Sequence, residues 1–366
     1  MPFYKNVNPI FQNFHVAPEY FLYRCWINNF MLIEKVIISA YQLPLKTAWK
    51  DRHQTMHFRK GWIITLSSEG LNGKGDCAPL PSAGTETWQQ AKDWFSQNLQ
   101  QLSGKSIDEI RLLLPAIPSA VACALDTALI DLLSKAKNIS ISQWLNPDCE
   151  AEVRTNINWG ALNNINPETL SEMPVAPVIK LKLGLADIQH EVKQLQLLCN
   201  HLPSGCRLRL DANQAWSFQD AMNFIDQCND LPVESIEEPL TRADLKLLNK
   251  LQQSSKVPIA LDESLSQFNV DQLLEGKVVN RLTLKPMVVG GLEKTLKLAN
   301  RANQLGIESV ITTTVDSAIG VWAAVHVAAA LGSAGRKLSH GLATSQWLQQ
   351  DIAQPPLISD NIIKLH

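Results

Sequence analysis

Asp211, Glu237, Asp262 and Lys285 close four successive short apolar runs, RLRLD, ESIEEP, PIALDES and RLTLKP, at steps of 26, 25 and 23 residues. Lys182 closes a similar run, VIKLKLGL, 29 residues before Asp211. Each step is about one strand-plus-helix unit, so in a closed barrel all five side chains would reach one mouth, where active sites are built. Three carboxylates in one pocket cannot all stay ionised unless positive charge sits among them. The lysines supply part of it, and a divalent cation would supply more. Ligation by oxygen alone favours a hard ion, Mg2+ with Mn2+ as a substitute, that keeps positions open for water and substrate. A small carboxylate-bearing substrate held there has an acidified α-proton, because the ion stabilises the enediolate left behind. A lysine must be neutral to take that proton. Lys180 and Lys182 lie two apart and share one face of a strand, and the charge of Lys180 would favour the neutral form of Lys182.

Each residue has a plainer reading. A lone KxK is a common device for blocking an edge strand, and a single Asp or Glu after a strand often caps the next helix. Caps do not require lysines on both flanking strands, which favours the shared pocket for the set as a whole.

The elements that must position these residues follow from the pattern. From residue 31 to about 100 two or three strands (EKVIISAYQL, GWIITLSSEG, GKGDCAPL) precede a helix near TETWQQAKDWFSQNLQQL, a small α+β unit. Gly70, Gly73 and Gly75 read as turn residues, since GLNGKG does not run into a helix. The next stretch, IPSAVACALDTALIDLLSKA, reads as a helix buried on most sides. Strands then alternate with helices, ending near Asn158, Lys182, Asp211, Glu237, Asp262, Lys285, Thr313 and Leu342. Eight ends is the barrel number, although a doubly wound open sheet alternates in the same way.

Composition narrows the partners. With 366 residues, 45% hydrophobic, 19% charged and a net charge of -2, the chain has no basic excess that would suggest nucleic acid. Seven scattered cysteines with no CxxC pair argue against a disulfide framework and for a reducing, cytoplasmic setting. The run VWAAVHVAAALG is too short to span a bilayer and reads as a core helix. Residues 1–30 lack periodicity and a secretory apolar stretch, so they read as an appendage or as preceding a natural start at Met31. The sequence does not fix an oligomeric state and is compatible with a monomer.

KLKLG, RLDANQAW, SIEEP, LDES and LKP, in this order and spacing, resemble the muconate-lactonizing subgroup of the enolase superfamily. That superfamily is known for a lysine or histidine base working with Mg2+. The resemblance implies an α/β fold: a modified TIM-type (β/α)7β barrel over 136–345 under an N-terminal α+β capping domain over 31–135. Residues 346–366 would return toward the capping domain. It implies that Asp211, Glu237 and Asp262 ligate Mg2+ and that Lys182 and Lys285 face each other across the substrate. GKGDCAPLPSAGTETW and ITTTVDSAIG look most like the o-succinylbenzoate synthases of proteobacterial type, which dehydrate 2-succinyl-6-hydroxy-2,4-cyclohexadiene-1-carboxylate in menaquinone biosynthesis. Lys182 would then be the base and Lys285 the fixed cation, with Lys180 tuning Lys182.

Around that centre, Arg209 shares an inward face with Asp211 and would contact substrate or form a supporting salt bridge. Asn213 would orient the metal ligands or serve as a turn residue. Gly290 and Gly291 would open a helix whose free N–H groups suit a carboxylate. Thr312 and Thr314 would hydrogen-bond the substrate tail or simply pack. Loops around Arg52 and residues 79–82 would close the mouth. The rival readings are a racemase of N-acylamino acids, a dipeptide epimerase and a barrel that has lost chemistry. Dipeptide epimerases of the subgroup hold the substrate ammonium with DxD on the last strand, where this chain reads SHGLATSQW without an acid.

Overall fold

The computed structural model describes residues 31–50, 55–166, 168, 170 and 178–365. The expectations for residues 1–30 and for Arg52 lie outside them. β1 (Lys35–Lys50), β2 (Thr55–Ser68) and β3 (Leu71–Cys77) form an antiparallel sheet in that order. The first two outrun the apolar segments that announced them, because pairing resumes at Trp49 and Lys50 after an irregularity beyond Pro44. The β2–β3 turn places Glu69 and Gly70 at φ of 50° and 76°, as a tight two-residue hairpin requires.

Capping boxes at Thr87 and Ser106 start α1 (Trp88–Asn98) and α2 (Ile107–Leu113). In α3 (Ser119–Ala136) every residue from Ala120 to Ile130 is buried. That burial corrects the reading of two glycines. Gly73 and Gly75 lie inside β3, where a Cβ would come within 1.9 Å of the carbonyls of Ala128 and Ala124. They permit close packing of strand on helix, and Gly70 alone of the three does turn work.

After α4 (Ile141–Leu145) and β4 (Glu152–Arg154) come β5 (Ile157–Ala161) and β6 (Val178–Lys182). Alternation is then regular through α5 (Ile188–Cys199), β7 (Arg207–Asp211), α6 (Phe218–Cys228), β8 (Val233–Glu237) and α7 (Leu245–Ser254). It continues with β9 (Ile259–Leu261), α8 (Val270–Glu275), β10 (Arg281–Leu284), α9 (Pro286–Val289), α10 (Leu292–Gln304), β11 (Glu308–Ile311) and α11 (Ala318–Ala330). β5 to β11 make a parallel sheet in strict chain order. A doubly wound sheet reverses its order at a switch point, so the order favours curling toward closure. Closure falls to residues 340–341: His340 bridges Thr155 beside β5, and Gly341 bridges Thr312 just past β11. The eighth strand expected near Leu342 is thus a short stretch that ties both edges of a (β/α)7β barrel.

The helices take their caps from elsewhere than the strand-terminal acids. Ser217, Asp244 and Asn269 cap α6, α7 and α8, and Asp262 makes no capping bond to the turn that follows it. The plain capping role is therefore not what those acids do. The chain's end crosses to β1, where Leu348 bridges Leu45. Then β12 (Ile358–Ser359) and β13 (Ile362–Lys364) add to β4. Among the described residues no helix is long and apolar enough to cross a membrane; α11 is a core helix.

Candidate active site

Side chains of a strand alternate, so Leu208 and Leu210 of β7 face the surrounding helices while Arg209 and Asp211 turn inward. Repeated strand by strand, this gathers Lys180, Lys182, Asp211, Glu237, Asp262 and Lys285 on one cavity of about 150 Å3 at the C-terminal mouth, the scale of a single aromatic ring. In-register pairing sets Lys182 beside Asp211 and Asp211 beside Glu237. β6 and β10 are separated by three strands, so Lys182 and Lys285 approach the cavity from opposed walls.

The ammonium of Lys180 bridges Glu237 at 2.7 Å and Asp211 at 3.0 Å, and that of Lys285 meets Asp262 at 2.6 Å. Burial works against the charge of Lys180, but Asp211 and Glu237 outweigh it and hold the ammonium well above its ordinary range. Lys285 is likewise held up against burial, by Asp262 and Glu263. Burial pushes Glu237 up to about 7 despite Lys180, and raises Asp262, with Glu263 adding to the effect. Asp211 resists burial through Lys180 and Lys182 and is held below the usual carboxylate range. Lys182 places its Nζ 4.6 Å from the centre of the Trp49 ring, which packs on Trp347.

The donor set suits a hard divalent cation: three carboxylates on adjacent strand ends, two of them converging on one cation-sized point occupied by the Lys180 ammonium. Asp262 turns instead to Lys285, and among the described residues no three acidic, cysteine or histidine side chains yet meet around one point. The side chains as they stand bring together two of the three expected ligands. Lys180 accordingly spends its charge on the carboxylates, a different arrangement from the expected tuning of Lys182.

Other expectations fare unevenly. Arg209 lines the cavity, but its guanidinium is bonded to Glu234 at 3.0 and 3.2 Å and to the Ser339 carbonyl, which is the supporting salt bridge rather than a free ligand group. Asn213, at φ 49°, acts through its backbone, donating to Asp211 Oδ1 at 3.0 Å. Gly290 and Gly291 are corrected: they lie outside the cavity, and the amides of Leu292 and Glu293 that open α10 donate to Asp126 from α3. A carboxylate does sit at that helix start, and it belongs to the protein. Thr312 donates to the Gly341 carbonyl, and Thr314 to Asp316, so both hydroxyls already have partners although both residues line the wall. Of the 79–82 stretch, Leu80 and Ser82 line the cavity, with Ala83 beside them.

Sequence reasoning missed Trp49, Glu263, Glu238 and Arg59. Glu238, 1% exposed and at φ 46°, accepts from the amides of Asp262 and Ser264 and from the Ser264 hydroxyl. The doubled acid in SIEEP was its only signal.

A model of the enolase C-terminal domain-like family matches residues 171–366, more than half of the chain. The chain belongs to the enolase superfamily. A second model, that of the MenC N-terminal domain, matches residues 33–132. Among superfamily relatives, chloromuconate cycloisomerase of Cupriavidus necator is 27% identical over 319 residues, covering 83% of this chain and 86% of the relative. The o-succinylbenzoate synthase of Yersinia pseudotuberculosis is 28% identical over 327 residues, covering 87% and 92%. The fold matches that of dipeptide epimerase from Enterococcus faecalis, solved with Mg and the dipeptide L-Leu-L-Tyr, at a TM-score of 0.79 and 23% identity over 92% and 98% of the two chains. These enolase-superfamily relatives are enzymes with three different activities.

Proposed function

We propose that this chain is an o-succinylbenzoate synthase that dehydrates 2-succinyl-6-hydroxy-2,4-cyclohexadiene-1-carboxylate to 2-succinylbenzoate. The match of residues 33–132 to the MenC N-terminal domain carries the reading, because that part of the chain contributes Leu80, Ser82 and Ala83 to the cavity. The last-strand segment supports it from the other side. Gly341, Ala343, Thr344 and Trp347 line the cavity there, with no acid to hold the ammonium of a dipeptide.

Asp211, Glu237 and Asp262 would hold Mg2+. When bound, the ion would neutralise the substrate carboxylate and stabilise the charge that builds on it as the α-proton leaves. Lys182 takes that proton from the carbon bearing the carboxylate. The electron pair forms the new ring double bond as the C–O bond breaks, and Lys182 returns its proton to the departing hydroxyl, so water leaves and the ring becomes aromatic. Lys285, fixed by Asp262, keeps its positive charge on the opposite wall and stabilises the developing negative charge. The indoles of Trp49, beside Lys182, and of Trp347, packed on it, exclude water from the proton transfer.

The test is to supply this substrate with Mg2+ and follow the absorbance of the aromatic product. Metal-dependent product formation is expected. A folded protein that forms no product yet exchanges the α-proton of a dipeptide or an N-acylamino acid would replace this reading with the epimerase or racemase one.

A further inference from the structure

Arg59 is a long cation from β2, 2% exposed, and its hydrogen bonds go to backbone carbonyls and one hydroxyl rather than to a carboxylate. Its Nε donates to the carbonyls of Thr314 and Val315, each at 3.1 Å. Its Nη1 donates to the Pro79 carbonyl at 2.9 Å, and Nη2 to the Ala78 carbonyl and to Thr314 Oγ1. One guanidinium thus grips two segments more than 230 residues apart in the chain. Both segments are walls of the cavity, Leu80, Ser82 and Ala83 on one side and Thr312 to Val315 on the other.

The grip acts where the backbone needs it. Val315 has φ 62°, a region that a β-branched residue enters only when its surroundings hold it there. Two buried carboxylates flank the guanidinium and fasten the same corner. Asp76 accepts from Tyr41 at 2.7 Å and from the Ser317 amide and hydroxyl at 2.9 and 2.8 Å, and Asp316 accepts from the Thr314 amide at 3.1 Å. With the Lys60 carbonyl, which Nη1 also reaches at 3.4 Å, the guanidinium serves five backbone carbonyls and a hydroxyl; a planar fork of five donors suits such a set, and a lysine ammonium with three donors does not.

We infer that Arg59 is a positioning residue, fixing the distance between the 78–83 loop and the 312–315 segment so that the cavity fits the unreacting part of its substrate. The inference deepens the proposed function and rests on this cavity being the substrate site. Because neither segment carries Lys182, Lys285 or the three acids, loosening them weakens binding of ground and transition states alike, which raises KM and leaves kcat.

Arg59→Lys and Arg59→Met, checked for native far-UV dichroism, should speed amide hydrogen exchange in residues 78–84 and 312–318 together and leave β6 to β8 as in the wild type. With a substrate that the wild type turns over, KM should rise about tenfold with kcat within about threefold, the loss of one or two hydrogen bonds. Exchange needs no substrate, so it judges the inference even if the proposed reaction is wrong. Unchanged exchange in either segment, or a fall in kcat with KM unmoved, would overturn it. Should Arg59→Met fail to fold, Arg59→Lys decides.

Discussion

The ammonium of Lys180 and the carboxylate of Glu237 stand 2.7 Å apart inside the barrel mouth, and Glu237 is nonetheless pushed up to about 7 by burial. A carboxyl raised on folding binds protons more tightly in the folded chain, so its contribution makes metal-free stability fall as pH rises from about 4.5 to 7. Mg2+ requires the ionised form. The rise in melting temperature on adding saturating Mg2+ should therefore be small near pH 5 and grow toward about pH 8. An equal rise at both ends, measured by calorimetry, would show that Glu237 is not a ligand.

In the proposed reaction Lys182 and Lys285 divide the chemistry, so removing either should be felt in kcat. Lys182→Ala is expected to lower turnover of the cyclohexadiene substrate by about 10^2- to 10^4-fold, while Mg2+ affinity stays within a few-fold of wild type. Lys285→Ala should cost about 10^2- to 10^3-fold in kcat and should tighten Mg2+ binding, because it frees Asp262 from its 2.6 Å partner. Steady-state rates beside metal titrations separate these effects, and Lys182→Ala with wild-type turnover would exclude it as the base.

Glu238 holds the amide of Asp262, so Glu238→Ala should weaken Mg2+ affinity by about 10- to 100-fold through misplacement of that carboxylate. Calorimetric titration of the folded variant checks this, and an unchanged affinity would mean that Asp262 is held by other contacts.

Asp126 closes the start of α10, and replacing it by alanine should cost about 0.5–2 kcal/mol, as loss of a helix cap does. Urea unfolding measures this. Substrate KM should not move, since Gly290, Gly291 and the amides after them lie away from the cavity.

That last pair of residues shows where sequence reading stops. The strand-terminal acids and lysines were legible because one residue per strand end, spaced by one strand-plus-helix unit, is a property of position along the chain. The partner of a helix start is not: Asp126 reaches α10 across 166 residues, and GGLEK looks the same whether the anion is substrate or side chain. Arg59 and Trp49 were hidden for the same reason, since their partners on the 312–315 segment and on Lys182 are brought near only by the meeting of the first sheet with the barrel. Gly73 and Gly75 misled because a glycine that admits a helix and one that makes a turn have the same letter.

Three acids must share one ion for this mouth to work as proposed, and Asp262, paired with Lys285, is the one that stands apart. Mn2+ titration followed by electron paramagnetic resonance, on wild type and on Asp211→Asn, Glu237→Gln and Asp262→Asn, tests it directly. The prediction is one ion per chain in the wild type and an affinity at least about tenfold lower in every variant. Wild-type affinity in Asp262→Asn, or no stoichiometric binding in the wild type, would contradict it.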